Sequence, residues 1–391
     1  MTKVTPEQNT SILWSTNFIC LFISNFCLFM IFEMLLAMLP IFISKNGGSD
    51  FQVGFITGIF MIASIFIRIF SEILLKNLKK SLIICMLICT YTTYSYYFTI
   101  ELVPTFIIRF LQGLGFGLAT IVLATLTANI LPKARLGEGI GYFGTGESLA
   151  ISIGPVIGIW IIQNYDFKIL FLFCTCILSA TTLLTLFISP FNYICIKEKK
   201  TGIYSYFFEK NIFIPCCLIL LLGASLGCIL SFISLYFEEQ GIPYVHWFLF
   251  TMAFVGGIIR LIIGHMFDTK VAPIILMLSI FLCIIGILLL AGSQSIEIYL
   301  IAAFFYGVGS GTIFPILQTW CIHSVQKQRY KLAIAMFFNF FDLGMGLGAI
   351  IFGAMVTFTT YKIIYLCSNS IFIIFFIIYL LWWKKSKRAC T

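Results

Sequence analysis

Charge is scarce in this chain. Asp, Glu, Lys and Arg make up 10% of its 391 residues, against roughly a quarter in soluble domains, which excludes an ordinary water-exposed globule. Histidine is scarcer, with three in all. His246, His265 and His323 stand apart, without the partners that a hydrolytic or acyl-transfer site needs, so a membrane enzyme is disfavoured. Long polar loops that might form a separate catalytic domain are missing too. The fourteen cysteines do not offset these absences. Cys20, Cys85, Cys174 and Cys283 lie within apolar runs, and no Cys-x-x-Cys pair has neighbouring histidines. Cysteine here reads as a small apolar residue, and neither a metal nor a cofactor is expected.

What the chain has in quantity is apolar sequence: 61% hydrophobic and 17% aromatic residues. Runs of about twenty apolar residues, enough to cross a hydrocarbon core of roughly 30 Å, recur along its length. They predict twelve spans, near 14–43, 53–75, 82–100, 103–131, 137–163, 167–189, 212–237, 243–267, 273–293, 298–323, 331–358 and 362–383. The expected class is an all-α membrane protein. The first span is too long for a signal peptide and lacks a small-residue cleavage site.

The net charge of +9 is a topology signal rather than a nucleic-acid footprint. If the N-terminus is cytoplasmic, the inner segments hold Lys76, Lys79, Lys80, Lys133, Arg135, Lys197, Lys199, Lys200, Lys270, Lys384 and Lys385 among others. The outer loops hold only Lys45, Lys168 and Lys362. This bias predicts a multi-pass membrane protein with both termini in the cytoplasm.

Arg260-Leu-Ile-Ile-Gly264-His-Met-Phe-Asp268 ends the eighth span, and an altered copy, Arg68-Ile-Phe-Ser-Glu72-Ile-Leu-Leu-Lys76, ends the second. Repetition at this spacing implies two related bundles: residues 1–190 and 212–391, joined by a polar cytoplasmic linker over 191–211. Two parallel repeats around a central site describe a transporter.

Four charges stand out inside the spans, where a charge at the centre costs about 2.5–3.5 kcal/mol on insertion scales: Glu33, Arg109, Glu147 and Asp342. Setting Gly158 on Gly353 aligns Glu147 with Asp342. Both lie roughly 15 Å from the inner ends of their spans at 1.5 Å per residue. Glu33 and Arg109 are placed to meet in the outer half. One arginine cannot neutralise three carboxylates, so at least one acid must carry a proton, face water or face a cationic substrate. Glu33, Arg109, Glu147 and Asp342 are the expected proton-coupling groups. The three acids, with Tyr142, Gln318, Trp320 and Asn339, are the expected substrate contacts.

Arg109-x-x-Gln112-Gly113 in span four resembles the proton-coupling motif of the major facilitator superfamily. Gly141, Gly154-Pro155 and Gly158 in span five resemble its antiporter motif, and Arg260-x3-Gly264-x3-Asp268 its gating motif. The resemblance covers essentially the whole chain and implies the major facilitator fold, with twelve helices in two pseudo-symmetric six-helix bundles. It implies a gate drawn from Arg68, Glu72, Lys76, Arg260, Gly264 and Asp268. In the first copy Glu72 replaces glycine and Lys76 replaces aspartate, so the gate is expected to be held mainly from the second half, with Glu72 pairing to Arg68 one turn away. The glycines and Pro155 suit a helix at the moving interface between halves, and Gly344, Gly346, Gly348 and Gly353 give span eleven a similar face.

The implied function is proton-coupled export, by a monomer, of a small amphipathic cation or zwitterion such as a drug or metabolite. A dedicated metallophore exporter (for a siderophore or opine-type chelator) is the alternative. Nutrient symport, a membrane enzyme and a non-transporting receptor are the remaining readings. The expected partners are the small-molecule substrate, protons and the bilayer; nucleic acid is not among them.

Overall fold

The computed structural model describes residues 13–70, 77–99, 101–132, 135–188, 209–242, 244–263, 272–325 and 329–390. Of the predicted linker, only its last residues lie within this set. The described residues form twelve α-helices and no strands. In chain order these are α1 (Thr16–Lys45), α2 (Asp50–Ile69), α3 (Leu78–Ser95), α4 (Leu102–Ile130), α5 (Leu136–Asn164), α6 (Phe167–Leu186), α7 (Phe213–Glu239), α8 (Val245–Ile263), α9 (Ala272–Gly292), α10 (Ile296–His323), α11 (Tyr330–Val356) and α12 (Tyr361–Cys390). Eleven are long and apolar enough to cross a membrane; the shorter apolar stretch, Val245–Arg260, belongs to α8.

Local chemistry sets the helix ends. The Ser15 hydroxyl accepts from the Phe18 amide to start α1. At α2, Ser49 and Gln52 form a reciprocal capping box, and Asp166 accepts from the Ile169 amide at α6; each satisfies an amide that the first turn leaves open. The α1–α2 and α7–α8 turns close in the same way. Gly47 (φ 81°) and Gly241 (φ 69°) adopt the left-handed conformation, and the next amides, Gly48 and Ile242, reach back to the Ile43 and Phe237 carbonyls at 2.9 Å. This is a Schellman ending, repeated 194 positions apart (47 to 241).

The same spacing recurs in the packing. A Cβ on Gly113 of α4 would lie 2.5 Å from the Phe60 carbonyl of α2, and one on Gly307 of α10 would lie 2.5 Å from the Met252 carbonyl of α8. Gly115 and Gly309 likewise seat against the Cys89 and Cys283 sulfurs. Glycine notches let backbones approach where lipid supplies no hydrophobic drive between helices. Here the cysteines are the small apolar residues that fill them.

Within the first half, α1 packs on α5 and α6, α2 on α4, and α3 on α4 and α6; within the second, α7 packs on α11 and α12, α8 on α10, and α9 on α10 and α12. The halves join through α2 on α11, α5 on α8, and α1 and α2 on α7. Since successive helices alternate in direction, both ends of the described chain lie on one face; the turns after α1, α5, α7 and α11 lie on the other, here called the distal face.

The α2–α11 seam is tightest near the distal face. A Cβ on Gly54 would sit 2.0 Å from the Ala349 carbonyl, and one on Gly58 would run into Ile350. Hydrogen bonds that join the halves on this face include two among the described residues: Tyr361 donates to Asp50 at 2.7 Å, and Gln163 Nε2 meets His246 Nδ1 at 3.2 Å. Deeper in the bundle, the Thr57 and Ser231 hydroxyls are 3.1 Å apart.

Gly54→Ala is expected to force two backbones apart and lower stability by about 1–3 kcal/mol. Gly144→Ala, where an added Cβ meets nothing within 4 Å, should be neutral or stabilising by up to about 1 kcal/mol. Thermal unfolding of the two variants in one detergent checks the contrast.

Candidate functional site

Two buried side chains of opposite charge meet where α2 crosses α11. The Arg68 Nη1 lies 2.5 Å from Asp342 Oδ2, and the two residues are 6% and 7% exposed. Asn339, one turn before Asp342, presents its Oδ1 to the same guanidinium nitrogen at 3.5 Å, the outer limit for a hydrogen bond. Asp342 lies about 18 Å along α11 from Tyr330 at 1.5 Å per residue. This ion pair therefore ties the first half to the second inside the apolar bundle.

Arg68 makes this contact; Glu72, the partner expected for it, is not among the described residues. Arg68 belongs to the buried charge network rather than to a surface latch; Glu72, Lys76, Gly264 and Asp268 lie outside the described residues. Arg260, its counterpart on α8, stacks on the Phe314 ring with the guanidinium carbon 4.7 Å from the centroid. Its charge acts across the interface on Glu33 and Glu147.

Glu147 is half-buried on α5 and accepts a 3.3 Å hydrogen bond from Asn25 of α1. Its counterpart Asp342 has an arginine in contact, whereas Glu147 has an amide. The two positions share a place in the repeat but differ in chemistry. Glu33 is 5% exposed and makes no hydrogen bond or ion pair among the described residues. Arg260, Asp342 and Arg109 are the charges that act on it.

The expected meeting of Glu33 with Arg109 does not occur. Arg109, 1% exposed, stacks on Phe60 with its guanidinium carbon 4.1 Å from the ring centroid. It donates to Gln112 Oε1 at 2.8 Å. Gln112 accepts in turn from the Tyr96 hydroxyl and donates to Thr93, which closes a network within the first half. The cause lies in the register of α1. Phe32 stacks on Phe60, the ring that also carries Arg109, and on Phe116, and the next residue points about 100° away around the helix. Glu33 therefore leaves α1 beside α5, its Cβ 3.2 Å from where a Cβ on Gly154 would sit.

The antiporter-motif helix α5 lies at the interface with α8, while two of its motif glycines turn to α1. A Cβ on Gly154 would meet the Met30 carbonyl at 2.6 Å, and one on Gly158 would meet the Met34 side chain at 2.7 Å. The α5 glycines thus notch onto α1 inside the first half, not onto the second half. Gly141 and Pro155 lie within the same helix. On α11 the glycines divide between two partners. Gly344 and Gly348 approach the Leu220 and Ala224 carbonyls of α7, while Gly346 and Gly353 approach α2.

Of the remaining expected contacts, Asn339 joins the ion pair. Trp320 does not reach it: its ring packs on Tyr379 and on Trp382, centroids 6.4 and 4.2 Å away, so it anchors the peripheral α12. Gln318 is half-buried on α10. Tyr142 is exposed, with its ring 5.1 Å from Trp14. Sequence reasoning missed Asn25 and the distal bonds Asp50–Tyr361 and Gln163–His246. No periodic pattern marks such residues, although a polar Asn25 within an apolar span was a signal available to be read. Among the described residues, no group of three or more His, Cys, Asp or Glu side chains could hold a metal.

Known proteins supply a frame for this geometry. The MFS-type transporter MJ1560 of Methanocaldococcus jannaschii is 24% identical over 359 residues, covering 89% of this chain and 91% of the relative. The multi-drug resistance efflux pump PmrA of Streptococcus pneumoniae is 24% identical over 361 residues, covering 88% of each. Among solved structures, the nucleoside transporter NupG superposes with a TM-score of 0.74 at 15% identity, covering 94% of this chain and 99% of that one. A bacterial homologue of the lysosomal transporter Spinster, solved inward-facing and unoccupied, gives 0.72 at 12%, covering 93% and 96%. At these identities the structures speak to the fold alone. The Major Facilitator Superfamily model matches residues 21–349 and 275–389; with twelve helices in two repeated bundles around a buried charge network, the chain belongs to that superfamily of membrane transporters.

Proposed function

We propose that this transporter is a proton-coupled exporter of a small amphipathic cation or zwitterion, held in the cytoplasmic membrane with both termini inside. The observation that carries the reading is the Arg68–Asp342 ion pair across α2 and α11. A proton delivered to Asp342 removes the charge that holds Arg68. The first half is then released from the second along the seam where α2 and α11 slide. Loss of the proton restores the pair. Protonation thereby acts on the same interface that alternating access must move, and it favours one arrangement over the other as coupling requires.

Glu147 and Glu33 supply the opposite need. Neither has an arginine in contact among the described residues, so a cationic group of a substrate can serve as counter-charge. Competition between substrate and proton is the expected consequence, since neutralising or filling one of these buried acids changes the charge that the others face. The Gly154-Pro155 motif and the likeness to an efflux pump support export over uptake. The basic surplus on the face of the termini supports their cytoplasmic placement.

In inverted vesicles carrying an imposed pH gradient, ethidium as the cation and Nε-dansyl-lysine as the zwitterion are expected to draw protons in exchange. Asp342→Asn should abolish that exchange while leaving binding of the probes. Glu147→Gln should weaken binding at least 10-fold. Full gradient-driven transport by Asp342→Asn would sink the coupling role, and proton flow in the same direction as the probe would replace export by symport.

Arg68→Gln should lower stability by about 3–5 kcal/mol, because it leaves a buried carboxylate without its partner. The double variant Arg68→Gln/Asp342→Asn should recover most of that loss while remaining uncoupled. Thermal midpoints of the two single variants and the double variant, taken as a cycle, measure the pair.

A further inference from the structure

The distal face holds a second recess that the buried charge network does not use. It lies between the halves, where the distal ends of α1 and α5 face those of α7 and α8, and has a volume of about 410 Å³. That is within the range of small-molecule sites, roughly 300–1,000 Å³. Its walls include Ile41 and Ile162 from the first half and Ile242 from the second. The Gln163–His246 hydrogen bond closes one flank.

Two opposite charges line the recess, one from each half: Lys45 at the end of α1 and Glu238 at the end of α7. They make no ion pair with each other among the described residues. The Lys45 ammonium instead lies 5.9 Å from the Phe167 ring centroid. The Ser234 hydroxyl, also in the lining, is buried without a hydrogen-bond partner among the described residues. An apolar recess with separated charges at its edge and an unused hydroxyl suits a molecule that brings both charges and an apolar body.

We propose that this recess is a second binding site, for an amphipathic zwitterion. The ligand's carboxylate lies toward Lys45, its ammonium toward Glu238, and its apolar part between the isoleucines. A ligand so placed bridges the halves and holds the distal face closed. Zwitterion accumulated on that side therefore slows further turnover. The ligand class follows from the proposed function, but the site itself does not depend on proton coupling or on membrane orientation.

The test uses the full-length protein in nanodiscs, where both faces are open, and the fluorescence of Nε-dansyl-lysine. The singly charged analogues dansylcadaverine and dansylglycine serve as comparisons. Saturable binding is expected in both wild type and Glu147→Gln, whose buried network holds the probe only weakly, at least 10-fold tighter for the zwitterion than for either analogue; the further variants are made in the Glu147→Gln background. Lys45→Gln and Glu238→Gln should each weaken it at least 10-fold. Ile242→Trp, which fills the recess without changing charge, should remove it, and thermal midpoints confirm that each variant folds. Unchanged binding in Lys45→Gln and Glu238→Gln overturns the proposal. So does loss of all saturable binding in Glu147→Gln alone, which would assign the signal to the buried network. Equal affinity for the three probes overturns the ligand class.

Discussion

An arginine and an aspartate cannot be left apart in a hydrocarbon-like interior without a large penalty. Arg68 and Asp342 therefore constrain everything along the α2–α11 seam. For the pair to form, α2 must lie close enough to α11 for a guanidinium to reach across, and the glycines at 54, 58, 346 and 353 permit that approach. The pair also makes the seam conditional. Apolar packing along α2 and α11 changes little with ionisation, whereas this contact depends on the charge of one carboxylate. A protein that must both hold its halves together and part them gains from placing the two demands on one interaction.

The distal face is joined by softer means. Asp50–Tyr361 and Gln163–His246 are single hydrogen bonds at exposed or half-buried sites, of the kind worth about 1 kcal/mol each. They occupy related places in the two seams: each joins the N-terminal turn of α2 or α8 to the distal end of α5 or the start of α12. Weak, separated bonds at the surface and one strong pair in the interior divide the work unequally, so the face is easy to unfasten once the interior contact is released.

Much of this architecture is legible in the sequence. Twelve apolar runs give the helices, and the spacing between Arg68 and Arg260 gives the repeat; the glycine notches at 113 and 307 and the turns at 47 and 241 repeat it in three dimensions. The aligned acids Glu147 and Asp342 were also readable, because buried charge stands out against apolar sequence. Partners were not. Depth along a helix places Glu33 and Arg109 near one another, but the rotation of α1 decides which neighbour each meets. Phe32 takes the position against Phe60, on which Arg109 stacks, and Glu33 is carried toward α5. Arg68 was misplaced for a related reason: its motif sits at a helix end, yet a long side chain on a tightly notched helix reaches the interior. Trp320 shows the same limit, since helical position does not say whether an aromatic ring turns to the centre or to the peripheral α12.

Equivalence by repeat is therefore a guide to place and not to role. Duplication brings an acid to the same level of α5 and α11 and an arginine to the same level of α2 and α8. A symmetric molecule would carry two like pairs, both holding the halves and neither available to a ligand. Here Arg68 contacts Asp342, while Arg260 lies over Phe314 and Glu147 turns to Asn25 of its own half. One acid is committed to the interface and the other is held by a neutral amide. That asymmetry leaves two acids at one level of the repeat in different chemical settings, which is the basis for the separate roles proposed for them.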